Sequence, residues 1–321
     1  MSLPVSSTAE RRRRPLTRGQ LDRLRDALES GATEVSARPL LGGVDTATYA
    51  LRLGRDGGER EVVVRVYQEW EKDPVAAARD EYAVLTAIAA VIHSAPRPIL
   101  ADPSGELIGT PLIVMSLLPG APLPPTGDDS WATKLATALA AVHATPLDGL
   151  PTDFPREGTP AERLKRMLEW GADVRDPLWD TAVAALTPIA ERVRPNKPTL
   201  THGDFWFGNT LWEHGHLTGI VDWDGARIAD PAHDVAIARN DLALLAGPRG
   251  PQIFIDAYER IRGPVHELAF WDLYCCLAPI RWLPHWVEGY TELGLQLPLA
   301  EARARLEAWV ANALGRLGGA A

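Results

Sequence analysis

Cysteine is almost missing from this chain. Only Cys275 and Cys276 occur, side by side between Tyr274 and Leu277. Two vicinal thiols support neither a disulfide framework nor a zinc site, and they point to a reducing compartment, the cytoplasm. Long apolar runs are missing too. No stretch approaches the roughly 18 residues that a membrane-spanning helix needs. The N-terminus, MSLPVSSTAERRRRPLTRG, carries four consecutive arginines with no apolar segment behind them, so it is not a secretory signal. Residues 1–16 are expected to form a solvated basic leader. There is no internal repeat, which excludes a solenoid. Excess positive charge is lacking as well. The net charge is −9: residues 1–115 hold 15 Lys+Arg against 16 Asp+Glu, and residues 116–321 hold 18 against 26. An acidic second half disfavours nucleic acid, whose phosphates need Lys and Arg. It suits a cationic small molecule, and equally ordinary solubility.

What is present describes a chain of 321 residues with 46% hydrophobic and 23% charged residues, enough for one large domain or two lobes. Residues 17–30, TRGQLDRLRDALES, place Leu21, Leu24 and Leu28 on one helical face, and Thr17 with Gln20 has capping-box spacing. The period then shortens. TATYALRL at 46–53 and REVVVRVY at 60–67 are strand-like runs joined by RDGG, a hairpin signal. Asp73-Pro74 starts a helix over VAAARDEYAVLTAIA. Further strands are expected near 97–101 and at 110–118. The Pro/Gly-rich stretch 119–127 reads as a hinge, dividing a lobe at 17–118 from one at 128–321. Beyond it the pattern is helical at 131–145, 160–170, 177–193 and near 298–317. Two short strands around 209–212 and 217–221 interrupt it.

Those strands bracket the most informative stretch, THGDFWFGNTLWEHGHLTGIVDWDG. An Asp followed five residues later by Asn, and then by an Asp ending an apolar run, is what phosphoryl transfer from a nucleotide requires. Asp204 is placed to orient an attacking hydroxyl, and Asn209 and Asp222 offer oxygens to Mg2+. Short strands would fix such groups within a fraction of an ångström, and the interleaved aromatics would exclude water. Two other readings compete. A metal-dependent hydrolase of the HD type would use His202, His233, Asp234 and Asp272, but it leaves the β-rich first lobe and Asn209 without a task. A catalytically silent nucleotide-binding module would keep the shape without the reaction.

HGDFWFGN followed by IVDWD resembles the aminoglycoside phosphotransferase and choline kinase family, a branch of the protein-kinase-like fold. The resemblance covers about 35–300. It implies an α+β two-lobed fold, with a small β-rich N-terminal lobe bearing one helix and a large, mainly helical C-terminal lobe. It also implies transfer of the γ-phosphate of ATP, or another nucleoside triphosphate, to a small-molecule hydroxyl with Mg2+. By this resemblance Asp204 is the catalytic base, Asn209 and Asp222 bind the metal, and His202 shapes the loop. Asp234 in IADPAHDVA supports that loop from the family's G-D-P-x-x-D segment, in which Ala229 stands where Gly is usual. The family's phosphate-binding Lys falls at Arg65 in VVVRVY, a departure that keeps the charge and changes its geometry. Its partner would be Glu81. Strand alternation puts Val63 on Arg65's face, over the adenine. Gly42 and Gly43 would let backbone approach the phosphates, with Thr46 and Thr48 donating hydroxyls. Met115 and Leu117 would contact adenine through main-chain groups.

The resemblance puts the acceptor pocket in the later helices, where carboxylates of the family hold cationic antibiotics. The candidates are Asp224, Asp230, Asp241, Glu267, Trp271, Asp272 and Trp282. Asp272, in FWDLYCCLAPIRWLPHW, needs a partner in so apolar a context; a buried pair with Arg281 and a pocket carboxylate are both open. An aminoglycoside-like cation, an amino alcohol held through cation–π contact, a sugar and a macrolide all remain as acceptors.

Overall fold

The computed structural model describes residues 15–40, 46–55, 57–68, 73–122 and 130–318. Gly42 and Gly43, the leader through residue 14 and residues 123–127 of the expected hinge therefore lie outside the described residues. The chain divides into two compact units. One holds residues 1–120 together with 218–224, and the other holds 121–217 and 225–321.

In the first unit a helix, α1 (Arg18–Leu28), starts at a capping box. Thr17 Oγ1 accepts the Gln20 N–H while Gln20 Oε1 accepts the Thr17 N–H, which satisfies two of the orphan donors of the first turn. Its Leu24 is fully buried, worth about 2–3 kcal/mol over an exposed leucine. Five antiparallel strands follow in the spatial order β1-β2-β3-β5-β4: β1 (Glu34–Pro39), β2 (Ala47–Arg55), β3 (Gly58–Val66), β4 (Pro98–Asp102) and β5 (Leu112–Ser116). The β2/β3 pairing runs up to Arg55 opposite Gly58, the two ends of the expected RDGG, of which Asp56 lies outside the described residues. The pleat sorts β3 cleanly. Val62, Val64 and Val66 join Tyr49, Leu51, Leu53, Leu112 and Val114 in the apolar core, so Val63 and Arg65 face the other side. On that side lies α2 (Pro74–Val91), which Asp73 caps by accepting the Ala76 N–H at 3.0 Å.

Residues 218–224 belong to this unit, although the sequence pattern assigns them to the region after the hinge. Ile220 N–H donates to Ser94 O at 2.8 Å, and Thr218 Oγ1 donates to Pro119 O at 2.7 Å. The Trp223 indole N–H closes a local turn on Ile220 O at 2.7 Å. Hydrogen bonds between segments about a hundred residues or more apart are invisible to hydrophobic periodicity.

The second unit is mostly helical: α3 (Ser130–His143), α4 (Pro160–Trp170), α5 (Pro177–Leu186), α6 (Ala232–Leu245), α7 (Arg249–Arg262), α8 (Leu268–Cys275), α9 (Leu277–Glu292) and α10 (Leu299–Gly318). The helix expected over 177–193 stops at Leu186, because Pro188 cannot continue the backbone ladder. Two short strand pairs frame the polar motif. Between α3 and α6, β7 (Thr199–Thr201) pairs antiparallel with β10 (Arg227–Ala229), while β6 (Ala121–Pro122), just before α3, pairs with β8 (Thr210–Glu213); β9 (His216–Ile220) follows β8 in the chain. The β7/β10 pair was not expected from sequence. Three-residue strands carry too little periodicity to register.

Candidate active site

In the second unit, β7 delivers the chain into His202, Gly203 and Asp204. Gly203 has φ of +90°, and a Cβ there would lie 2.2 Å from the carbonyl oxygen of Gly225. No side chain fits, so glycine is obligatory at this crossing. His202 is fully buried. Its ring packs edge-on to Phe205, and its Nδ1 accepts the Asp204 N–H at 3.3 Å. It braces the loop from inside.

Asp204 is exposed. A turn of 3-10 helix over Phe207–Asn209 folds the chain back, so that the buried Asn209 reaches it. Asn209 Nδ2 donates to Asp204 O at 2.9 Å and to Oδ2 at 3.1 Å. With its NH2 spent on Asp204, the amide is left with its carbonyl oxygen, a hard donor of the kind Mg2+ takes. Phe205 and Phe207 are fully buried. Trp206 is half-buried and packs on both Phe207 and Tyr290. Of the three aromatics, only Trp206 offers a surface beside Asp204.

Asp234, in the first turn of α6, holds the loop from beneath. It is fully buried and accepts the backbone N–H of His202 at 2.6 Å and of Gly203 at 2.9 Å. His143 Nε2 donates to it at 3.1 Å, a tautomer fixed by the Tyr258 hydroxyl donating to His143 Nδ1 at 2.6 Å. Burial alone would raise the Asp234 carboxyl, but the hydrogen bond from His143 and the adjacent His233 ring outweigh it and hold the group well below the usual carboxylate range. His233 is itself pushed down to about 4, first by burial and then by the Arg163 guanidinium.

Two turns further along α6, Asp241 is also fully buried. The Tyr290 hydroxyl donates to its Oδ1 at 2.5 Å, while Oδ2 has no hydrogen-bond partner. Burial, with the nearby charge of Asp204 adding to it, raises this carboxyl to about 7.

The other acidic and aromatic candidates of this unit separate by environment. Asp230 accepts from Asn196 N and Nδ2 and from Ala232 N, each at 2.9 Å, which pins the start of α6. Glu267 is an exposed residue at the start of α8 with φ of +58°. Trp271 is buried, with the Arg163 guanidinium 5.8 Å from its ring. Asp272 does not pair with Arg281. It is fully buried and takes Arg239 Nη2 at 3.0 Å and Arg316 Nη2 at 2.6 Å. Arg281 turns instead to Trp170 O at 2.7 Å and to the Asp173 carboxylate. The local sequence suggested Arg281 because it is near, but the partners come from α6 and α10. With two guanidiniums on it, Asp272 ties three helices together and presents no open face to an acceptor. Trp282 is 44% exposed and stacks on Trp170 at the kink of α9.

The first unit contains a second cluster, centred on Arg65. Its Nη1 donates to Glu81 Oε1 at 2.9 Å and to Asp222 Oδ1 at 2.6 Å, and its Nε donates to Thr46 Oγ1 at 2.9 Å. Asp224 Oδ2 stands 3.8 Å from Nη2. Tyr67, two residues beyond Arg65 and so on the same face, donates its hydroxyl to Glu81 Oε2. Alternation along β3 was the available signal for Tyr67, which sequence reading passed over. Burial lifts the Glu81 carboxyl while Arg65 opposes it. Asp222 has φ of +67°, a left-handed conformation that costs a non-glycine residue on the order of 1–3 kcal/mol. Strain of that kind persists where surrounding structure imposes it. Thr46 is buried, and its hydroxyl oxygen accepts from Arg65. Thr48 sits opposite Arg65 in the β2/β3 register, Val63 is buried opposite Met115, and Leu117 is half-buried beyond β5.

Among the described residues no group of three His, Cys, Asp or Glu side chains is arranged to hold a metal ion. The hydrolase reading fails on its own residues: His233 Nε2 meets Arg163 at 2.8 Å, and Asp272 is held by arginines. Nor is any described helix long and apolar enough to cross a membrane.

Comparison with known proteins gives one consistent result. Viomycin phosphotransferase of Streptomyces vinaceus is 31% identical over 156 residues, covering 44% of this chain and 54% of that protein. The curated relatives are matched over a third to about half of their lengths. Among solved structures, the ternary complex of aminoglycoside phosphotransferase APH(4)-Ia with AMP-PNP and hygromycin B is 18% identical. It has a TM-score of 0.64 over 92% of this chain and 98% of that one. Macrolide 2'-phosphotransferase MphH of Brachybacterium faecium is 20% identical, with a TM-score of 0.59 over 90% and 97%. These likenesses show the protein-kinase-like α+β fold. The profile described as "Phosphotransferase enzyme family" matches residues 36–271, nearly three-quarters of the sequence, and the chain therefore belongs to that family.

Proposed function

We propose that this protein transfers the γ-phosphoryl group of ATP, or of another nucleoside triphosphate, to a hydroxyl of a small molecule with Mg2+. The observation that carries this reading is the brace beneath the catalytic loop: Asp234 grips two consecutive backbone N–H groups just before Asp204, and Asn209 grips Asp204 from the other side. A loop held on both sides costs little reorganisation when the acceptor arrives. In this reading Asp204 accepts the hydroxyl proton as the acceptor oxygen attacks, and Asn209 and Asp222 are the metal ligands. Bound Mg2+ would neutralise charge on the phosphates. Arg65, oriented by Glu81, contacts the nucleotide phosphates. Val63 and the main chain at Met115 and Leu117 contact the base, and Thr48 and the glycines at 42–43 stay proposed for the covering turn. A nucleotide analogue in the APH(4)-Ia structure is consistent with nucleotide use.

For the acceptor we infer a compound carrying positive charge, in keeping with relatives named for viomycin and aminoglycosides. The candidates kept for recognising it are the exposed Asp224 in the first unit and, in the second, the exposed ring of Trp282 and Asp241, whose carboxyl would need to be uncovered to meet it. An antibiotic-modifying role in a reducing cytoplasm follows from that reading.

The test is an ATP-consumption screen with Mg2+ over viomycin, aminoglycosides, macrolides, amino alcohols and sugars. Asp204→Asn should keep nucleotide binding and lose transfer, by on the order of 3–4 kcal/mol in transition-state stabilisation. Asp222→Ala should also lose metal-dependent nucleotide binding. ATP binding without turnover of any acceptor would favour the silent module instead, and full activity in Asp204→Asn would remove it as the base.

A further inference from the structure

Lysine concentrates its donors at one rotating ammonium. Arginine spreads five over a rigid plane, and its Nε–H lies back along the stem, where a buried side chain cannot reach water. The Arg65 side chain is 13% exposed, so each of its edges needs an assignment. Nε goes to Thr46 Oγ1, and Nη1 is shared between Glu81 and Asp222. Nη2 has only the more distant carboxylate of Asp224, at 3.8 Å and itself about half exposed. Thr46 lies just before β2, the strand that pairs with β3, and is 5% exposed.

We propose that Thr46 is a positioning residue for nucleotide recognition: by accepting the Nε–H it fixes the guanidinium plane so that the Nη2 edge meets a phosphate oxygen. The inference rests on the proposed phosphotransferase reading. It adds that arginine at this position works as a matched pair with Thr46. A lysine there would have no Nε–H and would not need the hydroxyl. Valine has threonine's shape without an acceptor, whereas serine keeps the acceptor.

The experiment is a double-mutant cycle on the full chain. Wild type, Thr46→Val, Arg65→Lys and the double variant are titrated with AMP-PNP and Mg2+ by calorimetry, alongside Thr46→Ser and a thermal melt of each. Thr46→Val should weaken nucleotide binding on the order of tenfold, since it strands a buried charged donor, and Thr46→Ser should stay within about twofold. In the Arg65→Lys background the valine should cost about twofold or less. Once an acceptor is known, the loss should appear in the nucleotide KM more than in kcat. An equal penalty in both backgrounds would reduce Thr46 to a packing role and overturn the proposal. So would a Thr46→Val protein that binds like wild type. If Arg65→Lys binds too weakly to titrate, the serine and valine variants decide, and equal losses overturn it. If Thr46→Val does not fold, Thr46→Ala takes its place. A wild-type chain that binds no nucleotide refutes the phosphotransferase reading itself, and is distinguishable from indifference to Thr46.

Discussion

Asp234 and Asp241 lie two turns apart on the same helix, both without contact with solvent, and their environments differ in kind. Asp234 collects two backbone N–H groups and an imidazole N–H, and stays ionised deep in the unit. Asp241 has one phenol and an oxygen with no partner, and its carboxyl rises to about 7. Burial penalises both charges alike. The number of donors decides which group keeps its charge. The lower carboxylate is spent on holding the loop that leads into Asp204, while the upper one stands near Asp204 with its proton affinity heightened.

The largest expected effect comes from removing the better-satisfied group. Asp234→Ala strands two backbone donors and His143, and should cost about 3–5 kcal/mol, read as a fall in the urea midpoint or as failure to fold at pH 7. A loss below about 1 kcal/mol would mean that the bonds do not carry the loop. Asp241→Asn should act differently, and with pH. Because the folded-state pKa of Asp241 lies above its unfolded value, the folded protein binds the proton more tightly between about pH 4 and 7. Wild-type stability from this group is therefore full below about pH 4 and lost as pH rises through about 7. Asparagine cannot titrate, so the stability of Asp241→Asn relative to wild type should climb over that window by up to a few kcal/mol in urea midpoints. A flat difference would erase the contrast. Asp234 is the reverse case. Its lowered pKa contributes stability that is complete above about pH 4 and fails only in stronger acid, so it adds no slope near neutrality.

A smaller change should follow from Tyr290→Phe, which removes the one donor to Asp241. We expect a loss of about 1 kcal/mol and an upward move of the Asp241 midpoint, followed by carboxyl NMR. Asp204→Asn should have the least effect on folding. Removing its charge should lower the Asp241 midpoint slightly in the same NMR titration, however large its effect on transfer. An unmoved midpoint would show that the two carboxylates do not sense one another.

Much of the site was legible because its decisive contacts are short in sequence or follow strand alternation. Asn209 reaches Asp204 across five residues, Thr17 and Gln20 close a cap across three, and Arg65 and Val63 share a face because they are two apart on β3. The helix start at Asp73-Pro74 was equally local. Elements and partners that depend on distant segments were not legible. β1, β7 and β10 are short strands whose existence depends on what they pair with. Asp272 was read beside Arg281, nine residues on, yet it takes Arg239 and Arg316 from elsewhere in the fold. The position of Thr46 beside the expected phosphate-covering turn suggests a phosphate donor, and nothing in that local pattern shows that its oxygen accepts from Arg65.

By itself, then, the sequence determined the chemical inventory: an Asp and an Asn in one tight loop, an acid ending an apolar run, and an arginine on an alternating strand. Local backbone geometry is enough to dictate those relations. Only the tertiary structure decided which carboxylates keep their charge, which arginine serves which acid, and that Thr46 belongs to Arg65. Those outcomes depend on desolvation and on donors arriving from distant segments, and neither is written in any local window of the chain.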